Sequence, residues 1–242
     1  MRKVAVFDID GTIFRSNLLI ELTDALVEEG IFPKSVIKSY SRAAKNWFER
    51  KGPFEDYIEA IMETFLKNIK GVKYEEFAKV AKKVAAFHKD RVYVYTRELI
   101  KKLKKKNYYL LAISYSPHAV VKEFCQGLGF NKAYGHIFKL DKKGKFAGNG
   151  LYLDLKKDRT LDKVFILKRV LEKENLTLRG SIGVGDTESD IGFLKMVEKP
   201  ICFNPNKKLF QYAKKRGWQI VIERKDMIYY IFKNDDQIYT LN

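Results

Sequence analysis

The chain has 242 residues, 46% of them hydrophobic and 14% aromatic, enough for one large domain or a domain carrying an insert. Lys and Arg outnumber Asp and Glu by 47 to 30, a net charge of +17, which leaves an anionic substrate, a nucleic-acid partner or solubility alone as its meaning. No apolar run approaches the roughly 18 residues of a transmembrane helix. Cys125 and Cys202, the two cysteines, stand too far apart for a disulfide framework or a metal-ligand set. Met1-Arg2-Lys3 leads into a short strand and then carboxylates, which is not a signal-peptide pattern, so a cytoplasmic, reduced protein is expected.

Lys3-Val4-Ala5-Val6-Phe7 reads as a strand buried on both faces, as in a parallel α/β sheet. It runs into Asp8-Ile9-Asp10-Gly11-Thr12, where Gly11 permits a sharp turn. Helical periodicity follows. One helix carries Leu18, Leu19, Leu22, Leu26 and Val27 on a face and ends near Gly30. A second opens at Pro33 with Val36, Ile37, Tyr40 and Ala44 inward. A third spans 54–69, after the Gly52-Pro53 break, with Ile58, Ile61, Met62 and Phe65 inward. A fourth spans 74–87 through Phe77, Val80, Ala81 and Val84. Residues 15–90 therefore form an all-helical insert, leaving 1–14 and 91–242 as the α/β core.

The α/β rhythm resumes with a helix over 96–106, for which Thr96 is a candidate N-cap. Its dense lysine run, Lys101 to Lys106 around Leu103, suits a helix C-terminus. The other lysines are dispersed, so a dedicated nucleic-acid surface is not expected. A second buried strand, 108–113, ends at Ser114, and Pro117 opens the next helix in its first turn. A third, short strand covers 133–137. A β-hairpin over 138–154 turns at Asp141-Lys142-Lys143-Gly144. A helix over 160–174 is followed by a fourth strand, 181–185, that ends at Asp186. A helix over 191–197, a strand over 200–203, a helix over 209–216 and a strand over 218–222 complete the pattern. Tyr229-Tyr230-Ile231-Phe232 lies in an aromatic tail read either as an edge strand or as a homodimer contact.

Strand ends of one parallel sheet share an edge, so Asp8, Asp10, Ser114, Asp186 and Asp190 can converge there with Lys163 from the 160–174 helix. Carboxylates from two strand ends suit Mg²⁺, a hard cation that also binds phosphate. A lysine offsets phosphate charge, and a hydroxyl holds a phosphoryl oxygen. One carboxylate is then free to attack phosphorus and a second to move the proton. Each residue also has a plainer reading. Ser114 serves equally as a strand-end cap, and Asp186 and Asp190 as helix N-terminal anions. Lys163 competes with Lys156, Lys157 and Lys168, but it falls on the apolar face with Leu167 and Val170, an odd place for an unpartnered lysine. His88, His118 and His136 show no ligand spacing.

With these residues in order, the chain resembles the haloacid dehalogenase superfamily, in its phosphoserine-phosphatase-like branch. Asp8-Ile9-Asp10-Gly11-Thr12 matches the first motif, Ser114 the second, Lys163 the third, and Gly185-Asp186 with Asp190 the fourth. The resemblance implies a doubly wound, Rossmann-like core with a small helical cap. It implies Asp8 as nucleophile and Mg²⁺ ligand, and Asp10 as general acid/base with its backbone carbonyl on the metal. Ser114 and Lys163 would hold the phosphoryl group, Asp186 would ligate Mg²⁺, and Asp190 would ligate or orient through water. The expected activity is Mg²⁺-dependent hydrolysis of a small phosphate monoester through an aspartyl-phosphate. Two alternatives stand beside it: a phosphotransferase of the same family, and a basic nucleic-acid-binding protein with a vestigial site.

One departure bears on the substrate. Family members acting on phosphoserine carry a Glu where this chain has Arg15-Ser16-Asn17, which argues against phosphoserine. The cap cations Arg42, Lys45, Arg50 and Lys51 suit a substrate with additional negative charge.

Overall fold

The computed structural model describes residues 1–152, 161–233 and 239–241. Strand β1 (Arg2–Phe7) is apolar on both pleat faces and becomes fully buried from Val4 onward. It is an interior strand, the fourth in order, of a nine-stranded sheet. β2 (Tyr109–Pro117) and β3 (Lys132–Leu140) continue the sheet on one side, and the hairpin partner β4 (Phe146–Tyr152) forms that edge. On the other side come β5 (Leu176–Gly185), β6 (Lys199–Phe203), β7 (Gln219–Arg224), β8 (Met227–Lys233) and β9 (Tyr239–Leu241). The strands from β3 to β7 run parallel, and β4, β8 and β9 add antiparallel margins.

The pleat divides the core in two. Ala5 and Phe7 of β1 face a cluster that includes Leu103 of α5 (Val94–Lys105) and Phe124 of α6 (His118–Leu128). Val4 and Val6 face the opposite cluster, which holds Leu167 of α7 (Lys163–Lys173), Phe193 of α8 (Ile191–Leu194) and Leu209 of α9 (Lys207–Arg216). Helices thus cover both faces, the expected doubly wound α/β arrangement. No helix among the described residues is long and apolar enough to cross a membrane.

Four helices fill the stretch between β1 and α5. They are α1 (Leu18–Glu28), α2 (Ile37–Phe48), α3 (Phe54–Asn68) and α4 (Tyr74–Phe87). Their apolar faces join the cluster on the α5 and α6 side of the sheet. Phe65 sits at their centre, with ring centroids 5.9 Å from Phe32, 6.1 Å from Phe77 and 5.4 Å from Phe138 of β3. The β3–β4 hairpin is also pinned to the α3–α4 loop through its backbone. Gly71 N donates to Phe146 O at 2.8 Å, and Phe146 N to Val72 O at 2.9 Å. The two connections between these helices and the sheet lie side by side: Tyr93 N donates to Ile13 O at 2.9 Å and Arg15 N to Arg91 O at 3.0 Å.

Several local expectations change. Ile37 is 46% exposed, because only Val36 and Tyr40 of that group turn fully inward. The 133–137 strand and the first arm of the hairpin are one strand, β3, pairing with β2 by one part and β4 by the other. Pro117 ends β2 and precedes α6, one position earlier than expected. Helix α7 begins at Lys163, after the N-cap Asp162; Asp154, Lys156, Lys157 and Thr160 lie outside the described residues. The tail forms β8 and β9, with β8 paired on both sides rather than at the edge.

Thr96 is not an N-cap: α5 starts at Val94, and Thr96 is buried within its first turn. The orphan N–H groups of that turn find a distant partner. Val94 N and Tyr95 N donate to the Glu223 carboxylate of β7 at 3.0 and 2.8 Å. Replacing Glu223 by Ala should cost about 1 kcal/mol of folding stability, the usual worth of an N-terminal cap. Urea unfolding reads this directly, and an unchanged midpoint would mean that water caps α5 as well as Glu223 does.

Candidate active site

The carboxyl ends of β1, β2 and β5 bring the predicted residues together. Asp8 follows β1, Ser114 lies in β2, and Asp186 follows β5. Asp190 closes a short 3₁₀ turn, Glu188–Asp190, and Lys163 is the first residue of α7. Lys163 Nζ donates to Asp8 Oδ1 at 2.6 Å and to Asp190 Oδ1 at 2.7 Å. The three residues are 4%, 5% and 0% exposed, so a lysine on an apolar helix face has its partners inside the molecule. The Tyr115 ring lies 4.7 Å from the same ammonium and the Phe193 ring 5.9 Å.

Oxygens of Asp8, Asp186 and Asp190 all lie within 4.8 Å of one another. Asp190 also serves the backbone: its Oδ2 accepts from Asp186 N at 3.0 Å and Thr187 N at 3.1 Å. Both of its oxygens are therefore occupied by this chain. Thr12 Oγ1 donates to Asp186 Oδ1 at 3.3 Å and reaches Asp8 Oδ2 at 3.5 Å. Two glycines make this density possible. A Cβ on Gly11, whose φ is +77°, would meet Asp186 Oδ2 at 2.2 Å, and one on Gly185 would meet Asp190 Oδ2 at 2.5 Å.

Asp10 is turned to other partners. Its Oδ2 accepts from Ser114 Oγ at 2.6 Å and Ser116 Oγ at 2.8 Å, and its Oδ1 from Leu18 N at 2.6 Å. Its carboxylate is outside the Asp8, Asp186 and Asp190 trio. The sequence assigns no role to Thr12, Tyr115 or Ser116, although Thr12 belongs to the Asp8–Thr12 motif and Tyr115 and Ser116 to the family-like stretch Ile113–Pro117, with Ser116 on the same side of an extended strand as Ser114.

Burial dominates the electrostatics. It pushes Asp8 up to about 7 against the pull of Lys163, with Asp190 and Asp10 adding to the rise. It also raises Asp186, helped by Asp8 and Asp190. Asp10 rises through burial, opposed by its bonds from Ser114, Leu18 and Ser116. Burial works against the charge of Lys163, but Asp190 and Asp8 outweigh it and keep the ammonium protonated. The histidines take no part in the trio. His88 pairs with Glu21 at 3.1 Å, and burial lowers His136 to about 4.

Fully ionised, three carboxylates against one ammonium would carry two surplus negative charges, an imbalance that burial relieves by raising Asp8 and Asp186. Lys163→Met should therefore lower stability by about 3 kcal/mol at neutral pH, since it strands Asp8 and Asp190 without a counter-charge. Part of that loss should return as pH falls through about 7, where Asp8 takes up its proton. Urea unfolding in EDTA at both pH values tests this, and a loss independent of pH would point to packing instead.

A model of the haloacid dehalogenase-like hydrolase family matches residues 5–195. The chain is 21% identical over 231 residues to the histidinol-phosphatase of Neisseria meningitidis serogroup C (strain 8013), spanning 91% of this chain and 99% of that protein. A solved protein of unknown function from Bordetella pertussis Tohama I aligns with a TM-score of 0.69 at 18% identity, over 92% of this chain and 99% of the other. A phospho-aspartyl intermediate analogue of phosphoserine phosphatase aligns with a TM-score of 0.58 at 24% identity, over 93% and 95% of the two chains. At these identities the solved structures speak for the fold. The family match runs from β1 through the Asp186–Asp190 turn, and the chain belongs to the haloacid dehalogenase-like hydrolase family.

Proposed function

We propose that this hydrolase is a Mg²⁺-dependent phosphatase acting on a small phosphate monoester through an aspartyl-phosphate on Asp8. The observation that carries the reading is the buried charge imbalance: three clustered carboxylates face a single ammonium. An all-oxygen set that carries two surplus negative charges once its protons leave fits a hard divalent cation. Asp8 and Asp186 would hold it, together with the Asp10 backbone carbonyl. Asp190 has both oxygens committed to Lys163, Asp186 N and Thr187 N, which suits orienting rather than direct ligation. Bound Mg²⁺ would offset the charge of the phosphoryl oxygens.

In this reading Asp8 attacks phosphorus, with Lys163 restraining it at 2.6 Å. Asp10 gives its proton to the leaving oxygen and later takes one from the attacking water. Burial raises Asp10, which favours the protonated form that the first step needs. Ser114, which donates to Asp10 in this structure, would turn to a phosphoryl oxygen once Asp10 carries the proton. Residues 15–90 act as a cap on the core formed by 1–14 and 91–242. The paired connections at Ile13–Arg15 and Arg91–Tyr93 make a narrow joint for its closure over the substrate. The two cysteines are free and buried, which fits a reducing cytoplasm.

The substrate reading follows from Asn17. Its side-chain oxygen caps α1, accepting from Leu19 N at 2.9 Å and Ile20 N at 3.3 Å, and so is not offered to a substrate ammonium. This disfavours phosphoserine. Of the cap cations, Lys45 and Lys51 pair with Glu49 and Arg50 lies over Trp47. Arg42 lines a cavity of about 250 Å³ within residues 39–56, beside Ser39, Asn46 and Asp56.

Phosphate release from a panel of monoesters tests the activity. Wild type should release phosphate with Mg²⁺ and not with EDTA, and Asp8→Asn should lose at least about 10³-fold while unfolding at a normal temperature. Full activity in that variant would sink the nucleophile assignment. The cation site has its own test. Asp8 lies above its ordinary value in the fold, so its contribution to metal-free stability is present at low pH and lost as pH rises through about 7. Mg²⁺ must displace those protons, so the rise in Tm that it produces should grow from pH 5.5 to pH 8. A rise independent of pH would place the cation elsewhere.

A further inference from the structure

Two hydroxyls reach Asp10 Oδ2, and the mechanism above uses only Ser114. Ser114 donates to Asp10 and accepts from Ser116 N, its neighbour in β2, at 2.9 Å. Ser116 reaches out of the strand. Its hydroxyl donates to Asp10 Oδ2 at 2.8 Å, and its oxygen accepts from Leu19 N at 3.1 Å. Ser116 is 2% exposed, so both bonds are made away from water. The neighbouring helical N–H, Leu18 N, goes to the other oxygen of the same carboxylate at 2.6 Å. The first turn of α1, Asp10 and Ser116 therefore close one hydrogen-bonded ring, with both Asp10 oxygens in it.

We propose that Ser116 is a positioning residue: it ties the first turn of the cap helix α1 to the Asp10 carboxylate, so that Asp10 is aimed for proton transfer when α1 is seated. The inference rests on the reading of Asp10 as the group that protonates the leaving oxygen. A structural cap is the competing role, and the contacts separate the two. Leu19 N has a second acceptor, Asn17 Oδ1 at 2.9 Å, so α1 stays capped without Ser116. Asp10 has no such replacement for the lost donor on its Oδ2 side except Ser114, the hydroxyl that the phosphoryl group recruits. Loss of Ser116 thus falls on the orientation of Asp10 and spares the helix.

The chemical step supplies the readout. The Asp10 proton passes to the leaving oxygen as its bond to phosphorus breaks and the bond from Asp8 to phosphorus forms. An alkoxide leaving group needs that proton, and p-nitrophenolate does not. The measurement is kcat/KM, which covers the steps up to leaving-group departure, for an alkyl phosphate and for p-nitrophenyl phosphate, in wild type and Ser116→Ala, with Tm recorded for both. Ser116→Ala should lose roughly ten-fold on the alkyl ester, the worth of one hydrogen bond to a charged group, and much less on p-nitrophenyl phosphate, at a nearly unchanged Tm. An equal loss on both esters, or no loss on the alkyl ester, overturns the positioning role while leaving the phosphatase reading intact. A wild type that releases phosphate from neither ester overturns both.

Discussion

The ammonium of Lys163 is the contact on which the rest of the site depends. It sits between Asp8 and Asp190 at 2.6 and 2.7 Å, with less than a tenth of any of the three side chains exposed. Removing ions from water costs several kcal/mol apiece, and only close geometry with further hydrogen bonds recovers it. The structure supplies both. Tyr115 and Phe193 present their rings to the ammonium, and two backbone N–H groups take the remaining oxygen of Asp190. Lys163 reaches this position because Asp162 stops the chain and starts α7 there, accepting from Val164 N and Phe165 N at 3.0 Å each. A helix begun one residue later would turn the lysine to another face.

That arrangement also explains where the chain needs glycine. Three carboxylates from two strand ends approach one point only if the backbone between them carries no side chain on the near side. Gly11 and Gly185 stand at those places, facing Asp186 and Asp190. Gly11 has a second reason in its left-handed φ, which turns the chain after Asp10 so that Ser16 O accepts from its N–H at 3.2 Å. The motif Asp-Ile-Asp-Gly-Thr is thus one device: two carboxylates diverge to different partners, a glycine admits a third, and Thr12 bridges Asp8 to Asp186.

Much of this was legible in the sequence, and the boundary has physical causes. The central strand, the four helices after it and the α/β alternation follow from hydrophobic period, because each element buries one definable face. The residues at strand ends follow because a parallel sheet gathers them at one edge. What escaped is contact made across long separations. The cap of α5 belongs to Glu223, about 130 residues away, so Thr96 looked like the better candidate from its neighbours alone. The continuity of β3 escaped for a similar reason: one strand serves two partners of opposite direction, and the pattern broke where the partner changed. Ser116 gave only a weak signal, a hydroxyl one pleat beyond Ser114, and its meaning lies in a helix that starts near residue 18.

Asp10 shows how closely fold and chemistry are joined here. A helix that opens at Leu18 must satisfy its first N–H groups, and this one gives Leu18 N to Asp10 and Leu19 N to Asn17 and Ser116. The bond holds a buried carboxylate in place and favours its charged form, while burial favours the neutral one. In the proposed mechanism Asp10 gives a proton in one step and takes one in the next, and these two influences act on it in opposite directions. The balance depends on α1 being seated, because Leu18 N is part of it. Any displacement of the helix from the strand ends removes a donor from Asp10 Oδ1, shifts the carboxyl toward its neutral form and frees it to turn. The seating of α1 and the charge on Asp10 thus meet in one hydrogen bond, from Leu18 N to Asp10 Oδ1.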